Sequence, residues 1–139
     1  MTERNLVKTL LMVKPDAVAQ GLYGEIIAHL VRNRFHVVNL RMVSMSHEMA
    51  ERFYDVHRER PFFHDVVDYI ASGPVVALEI EGAEVVEKVR ALIGATDPAK
   101  ANPGSVRYMY GSSIQNNAVH ASDSAESAKK ELAIVFGRP

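Results

Sequence analysis

Leu6-Val7-Lys8-Thr9-Leu10-Leu11-Met12-Val13-Lys14-Pro15-Asp16 is an apolar, β-permissive run that stops hard at a proline. Proline has no amide hydrogen to give to a ladder, so the strand from Leu6 to Val13 ends there and Lys14 stands at its tip. Past Gly21 and Gly24, the residues Ile26, Ile27, Leu30, Val31 and Phe35 recur at helical spacing with polar residues opposite, which predicts an amphipathic helix. From Val37 to Met45 the period shortens to two, with Val38, Leu40 and Met42 on one face and Asn39 and Arg41 on the other. That alternation predicts a second strand.

The second half repeats the theme with additions. Ser46 suits an N-cap, and Met49, Phe53 and His57 line one side of the helix that follows, with Ala50 and Tyr54 beside them. Arg58-Glu59-Arg60-Pro61 breaks it; a short helical piece from Asp65 to Ala71 then ends at Ser72-Gly73-Pro74. Val75 to Ile80 reads as a buried strand, and Val85, Val86, Val89 and Ile93 as a helix closed by Gly94. Patterning weakens from Ala95 to Gln115, where Asp97-Pro98 and Asn102-Pro103-Gly104 signal turns. A loop that long in a compact domain is usually functional. Ala125 to Lys130 predicts a short helix and Leu132 to Phe136 a last strand. Reduced to its main elements the order is β-α-β-β-α-β. This predicts an α+β fold, a ferredoxin-like sandwich with a four-stranded antiparallel sheet and helices on one face. An inserted helix pair and a long loop before the last helix and strand elaborate it. No repeat or linker interrupts the pattern, so residues 1–139 read as a single domain.

Composition narrows the function. At 47% apolar and 24% charged residues the chain is not a disordered one, and a net charge of −1 supplies no global field to attract nucleic acid. Cysteine is absent, which removes disulfides, thiolate metal sites and a thiol nucleophile, and fits a reducing, cytoplasmic setting. Nothing approaches the roughly 20 apolar residues of a membrane span, and Met1 to Lys8 has no signal-peptide core.

Chemistry concentrates in Asn117-Ala118-Val119-His120-Ala121-Ser122-Asp123-Ser124. An imidazole titrates near neutrality and can act as a nucleophile. The oxygen-bearing residues after it suggest a helix start, with Glu126 in capping-box spacing from Asp123, and a helix N-terminus favours anions. The plainer reading is a structural histidine beside an ordinary cap. Neither G-x-x-x-x-G-K-[ST] nor G-x-G-x-x-G occurs, so any polyphosphate must be held by side chains. Lys14, Arg90 and Arg107 stand at suitable places, although each taken singly reads better as a solvated surface charge; Thr96, Tyr54 and Asn117 supply neutral donors; Phe62 and Phe63 read most simply as core residues and alternatively offer a face to a base. Six histidines include no H-E-x-x-H pair, so no zinc site is expected.

These residues resemble the nucleoside diphosphate kinases from end to end. The matching stretches are Leu11-Met12-Val13-Lys14-Pro15-Asp16-Ala17-Val18, Glu59-Arg60-Pro61-Phe62-Phe63, Ser72-Gly73-Pro74-Val75-Val76, Leu92-Ile93-Gly94-Ala95-Thr96-Asp97-Pro98 and the His120 segment, in order and at family spacing. The resemblance implies a nucleoside-triphosphate:nucleoside-diphosphate phosphotransferase working by a ping-pong relay through a phosphohistidine on His120. It implies that Lys14, Tyr54, Arg90, Thr96, Arg107 and Asn117 surround the polyphosphate and sugar, with His57 near the phosphates, Phe62 stacked on the base and Val66 flanking it. It places Glu131 as acceptor from one imidazole nitrogen, supported by Ser122 and Asp123, and Mg²⁺ as the cofactor, held by phosphates and water with no metal ligand from protein side chains. It implies a homo-oligomer, tetramer or hexamer; a chain ending three residues past Phe136 leans to the tetramer. No membrane and no stable nucleic-acid partner are expected.

Two departures from the family pattern stand out. Gln115-Asn116 replaces a frequent Gly-Arg, and Ala121 replaces a frequent glycine, with an ordinary negative φ expected there. The competing reading of the chain is a ferredoxin-like binding module for single-stranded nucleic acid or a small regulatory ligand. Fold alone does not separate the two.

Overall fold

The computed structural model describes residues 6–138; residues 1–5 and 139 of the expected single-domain range lie outside it. The elements in order are β1 (Leu6–Val13), α1 (Pro15–Ala19), α2 (Tyr23–Arg32), β2 (His36–Val43), α3 (His47–Phe53), α4 (Phe63–Ile70), β3 (Val75–Ala83), α5 (Val85–Ile93), α6 (Val106–Tyr110), β4 (Val119–Ala121) and α7 (Ala125–Phe136). The strands form one sheet in the order β2-β3-β1-β4, with every neighbouring pair antiparallel. β1 is central: it runs against β3 from Leu6↔Ala83 to Val13↔Val76 and against β4 at Leu11↔Ala121, Met12↔His120 and Val13↔Val119. This is the ferredoxin-like arrangement expected, with two differences.

First, residues 132–136 are not the last strand. They continue α7, whose buried Ala128, Leu132 and Val135 are spaced by four and three and so share one helical face. Leu-Ala-Ile-Val-Phe is apolar enough for either element, and packing decides. The fourth strand is β4, three residues long and carrying His120, recruited by its ladder with β1. Second, helices cover both faces. Leu11, Val13, Leu78 and Ile80 bury against α2 and α5, while Leu10, Met12 and Ala77 bury against α3, α4 and α7.

The edge strand β2 has its apolar alternation, yet Val38, Leu40 and Met42 are 40%, 51% and 53% exposed. A bulge between Val37 and Asn39 shifts its register against β3. The stretch expected as a long loop contains a 3₁₀ turn at Pro98–Lys100 and the short α6.

Candidate active site

β1 ends at Lys14, and Pro15 at the first position of α1 turns the chain away without losing a hydrogen bond. Lys14 stays tied to the segment before β4. Its Nζ donates to the Gln115 carbonyl and to Asn117 Oδ1, both at 2.8 Å, and its backbone N–H donates to the Ala118 carbonyl at 2.8 Å. Asn117 in turn donates through Nδ2 to the Thr96 carbonyl at 3.0 Å, which brings the 94–98 stretch to the same place. Burial pulls the Lys14 ammonium down to about 8, with Arg107 adding to the effect and Asp16 opposing it.

His120 sits mid-strand on β4. Its Nε2 lies 2.9 Å from Glu131 Oε1, the oxygen that also accepts from Ser122 Oγ at 2.7 Å. An ionised carboxylate only accepts, so Nε2 carries the proton and Nδ1 keeps its lone pair. Glu131 reaches the strand because α7 starts immediately after it, capped by Ser124, whose side chain accepts from the Ser127 N–H. The cap is therefore Ser124, one residue beyond the Asp123 spacing. Phe53 and Tyr54 meet the imidazole edge-on, with ring centroids 5.1 and 6.1 Å away. Burial, reinforced by Glu131, raises the Tyr54 phenol, so it stays a hydrogen-bond donor.

Arg107, on α6, is 7% exposed and bonds only backbone: Nη1 to the Gly94 carbonyl at 3.1 Å and Nη2 to the Val119 carbonyl at 2.9 Å. Its Nε has no partner. Burial, then Arg90, lowers it to about 10. Arg90, on α5, donates to the Ala121 carbonyl at 3.1 Å. Among the described residues, no ion pair engages Lys14, Arg90 or Arg107. Of the three, Arg107 is buried, Lys14 half-buried and Arg90 exposed, so the cost of a charge held without a counter-ion falls on Arg107 and Lys14.

Two adjoining hollows open onto His120. One, of about 600 Å³, has Lys14, Asn117 and Val119 at its floor and Phe62, Val66 and Ile114 at its mouth. The other, of about 320 Å³, has Arg90, Lys130 and Glu131 in its wall. Tyr54, His57, Thr96, Arg107 and His120 line both. Phe62, 44% exposed at the start of α4, has its ring centroid 5.7 Å from that of His57. Every expected site residue is thus gathered here except Ser122, which is fully buried behind Glu131 and lines neither hollow. A third hollow, of about 460 Å³ beside α7, differs in kind. Its Glu79 is already paired with Arg138 and Lys8.

A match to the family model for nucleoside diphosphate kinase runs over residues 7–139. The chain belongs to the nucleoside diphosphate kinase family. It is 49% identical over 129 residues to the nucleoside diphosphate kinase of Archaeoglobus fulgidus, covering 93% of this chain and 85% of that one. It is 50% identical over 129 residues to that of Dehalococcoides mccartyi, covering 93% and 91%. The crystal structure of the Aquifex aeolicus nucleoside diphosphate kinase superposes with a TM-score of 0.90 at 42% identity, covering 93% of this chain and 94% of that chain. The Encephalitozoon cuniculi nucleoside diphosphate kinase does so at 0.89 and 34%, covering 92% and 87%.

Against the family pattern, Ala121 is not among the residues with positive φ, as expected. Ala118 is, with φ at 79°, and no glycine announced it. Sequence reasoning also missed Tyr69, which lines the larger hollow, and the Gln115 carbonyl that holds Lys14. A backbone acceptor leaves no mark in residue type.

Proposed function

We propose that this member of the nucleoside diphosphate kinase family transfers the γ-phosphate of a nucleoside triphosphate to a nucleoside diphosphate through a phosphohistidine on His120, acting as one domain over residues 1–139. The observation that carries the reading is the imidazole oriented by Glu131 at the junction of two hollows with three unpaired cations around it. The Nδ1 lone pair attacks the γ-phosphorus, the bond from phosphorus to the bridging oxygen breaks, and the leaving diphosphate takes that electron pair. A second diphosphate then attacks the phosphohistidine with a terminal phosphate oxygen, and the P–N bond electrons return to Nδ1. Glu131 holds the Nε2 proton throughout and stabilises the charge that develops on the ring. Splitting the transfer in two lets donor and acceptor use one pocket in turn.

Phosphoryl transfer asks chiefly for positioning and charge neutralisation. Lys14 and Arg107 meet the transferring group, with the Tyr54 hydroxyl as donor. Arg90, Thr96 and His57 hold the inner phosphates, and Asn117 lies toward the sugar. Phe62 stacks on the base with Val66 beside it, and a π-face suits every base. Ser122 acts from behind by fixing Glu131. Among the described residues no three His, Cys, Asp or Glu side chains gather as a metal cage, and this cationic wall suits a divalent ion that arrives on the phosphates. We read that ion as Mg²⁺, which neutralises phosphate oxygens.

The apolar, exposed edge of β2 supports a homo-oligomer, for which the tetramer is our reading over the hexamer. No described helix is long and apolar enough to cross a membrane, in keeping with the cytoplasmic setting we infer. Incubation with γ-labelled ATP and Mg²⁺ is expected to give an acid-labile label at His120 that a diphosphate of another base discharges. A His120→Ala protein that still labels and turns over refutes the assignment.

A further inference from the structure

The strand that carries His120 begins at an unusual turn. Ala118 is fully buried with φ at 79°, and the Val119 N–H donates back to the Asn117 carbonyl at 3.0 Å, which closes a three-residue turn. A left-handed conformation is natural for glycine but crowds the Cβ of alanine, and it persists only where the surroundings enforce it. The surroundings here are specific. The Ala118 N–H donates to Asp16 Oδ2 at 3.2 Å, and its carbonyl accepts from the Lys14 N–H at 2.8 Å. Both polar groups of the strained residue are therefore held by the stretch that follows β1.

Asp16 is itself fixed by Tyr69. The Tyr69 hydroxyl donates to Asp16 Oδ1 and accepts the Asp16 N–H at 3.1 Å. Oδ1 thus holds Tyr69 while Oδ2 holds the Ala118 N–H, so the carboxylate bridges α4 and the turn. Burial and the bond to Asp16 raise the Tyr69 phenol and keep it protonated as a donor. The Tyr69 ring also lies under Lys14, with Nζ 5.7 Å from its centroid. Tyr69 stands on α4, three residues beyond Val66 and on the helix that Phe62 introduces. One helix thus reaches the mouth of the hollow at one end and the turn before His120 at the other.

We propose that Asp16 and Tyr69 are positioning residues that clamp the left-handed turn at Ala118 and so set where His120 and Lys14 stand relative to each other. The geometry makes this more than packing. Only Val119 separates the turn from His120, while Glu131 and Arg107 come from α7 and α6. Relaxation of Ala118 toward a negative φ swings the start of β4 and pulls the imidazole and the Val119 carbonyl against their bonds to Glu131 and Arg107, which are anchored on their own helices. It also shifts Asn117, one of the two acceptors that hold Lys14 Nζ. In-line displacement is sensitive to such shifts, with a 1 Å misplacement worth about 10²-fold in rate.

The inference rests on His120 as the phosphate carrier, and a strain-relief cycle tests it. The rate of label transfer from γ-labelled ATP to the protein is measured in a single turnover, with nucleotide affinity and melting temperature alongside. Tyr69→Phe is expected to slow labelling by about tenfold or more while nucleotide affinity stays within about twofold. Ala118→Gly alone is expected to change the rate by less than about threefold, since glycine takes this φ unaided. Combined with Tyr69→Phe, it is expected to restore most of the lost rate, because a turn that needs no enforcement needs no clamp. Asp16→Ala, which removes the acceptor for the Ala118 N–H, is expected to show the same loss and the same rescue, and it serves if Tyr69→Phe folds poorly. A loss under about threefold, or a loss that Ala118→Gly leaves unrepaired, overturns the clamp. Wild-type label mapped to a residue other than His120 overturns the phosphohistidine reading instead, which keeps the two failures apart.

Discussion

Lys14 makes opposite demands on stability and on activity, and pH separates them. Its ammonium donates to two oxygens but faces no carboxylate within ion-pair distance, and burial lowers it from 10.5 to about 8. Holding the charge in the folded protein at that lowered value costs about 3 kcal/mol. The folded form binds this proton less tightly than the unfolded one. Below pH 8 both forms are charged and the penalty is complete; between 8 and 10.5 the folded form loses its proton first and the penalty fades. Lys14 therefore makes the protein gain stability as pH rises through that window. Activity moves the other way, because only the ammonium stabilises a transferring phosphate. We expect kcat/KM to fall above pH 8 with an apparent pKa near 8, approaching tenfold per pH unit. Lys14→Arg, whose guanidinium stays protonated throughout, is expected to lose that limb at whatever residual rate it retains. Steady-state rates with nucleotide held far below KM, across pH 6 to 10 (roughly two units either side of the transition), decide the matter. A wild-type profile flat to pH 9.5 (about 1.5 units past the transition), or an unchanged limb in Lys14→Arg, refutes the reasoning.

Three further outcomes follow from the same geometry. Glu131→Gln keeps the shape but can present an amide N–H to the ring, which favours the wrong tautomer; kcat is expected to fall by about 10²-fold with KM nearly unchanged, measured by coupled assay. Phe62→Ala removes the exposed ring at the mouth of the hollow and is expected to weaken all nucleotides by a similar amount, about 1–3 kcal/mol, whichever base they carry; isothermal titration with adenine and pyrimidine diphosphates checks it. Leu40→Lys puts a charge on the exposed edge strand and is expected to shift sedimentation toward smaller species without unfolding the chain, since Leu40 is 51% exposed.

What could be read from the sequence was whatever a periodic pattern or a residue type encodes. α2 and α5 carry a helical period, while β1 and β3 stand out as apolar runs bounded by proline or turn residues, and each of the four is found close to where that reading puts it. β4 could not be read this way, because three residues hold no pattern and its membership of the sheet comes from its ladder with β1. The 132–136 run misled for the complementary reason: its Ile and Val suit a strand, and only burial against the sheet keeps it helical. The site residues were legible through a family resemblance that fixes side-chain identity. Ala118 was not, since its type argues against the φ it adopts. Tyr69 was not either: it meets Asp16 across 53 positions and looks, in sequence, like one more apolar residue of a short helix.

Two sets of charged side chains on the sheet differ in how completely they are paired. On the sheet face toward α7, Glu79 is 2% exposed, bonded by Arg138 and Asn39 and approached by Lys8. Its carboxyl is held below the usual range chiefly by Arg138. That cluster is complete, and it also anchors the end of α7, whose Arg138 N–H closes onto the Ala133 carbonyl. Around His120 the accounting is deliberately unfinished. Lys14 and Arg107 are both pulled down by burial, Arg107 has a buried Nε with no acceptor, and the Glu131 carboxylate within reach is engaged with the imidazole and Ser122. A chain able to satisfy Glu79 so fully has no structural reason to leave these cations unsatisfied. The deficit has the sign of a phosphate and surrounds the only imidazole that a carboxylate holds by Nε2 within a strand of the described sheet. An unpaired guanidinium is a defect in an empty core; beside His120, on the function we propose, it is half of an interaction that a phosphate would complete.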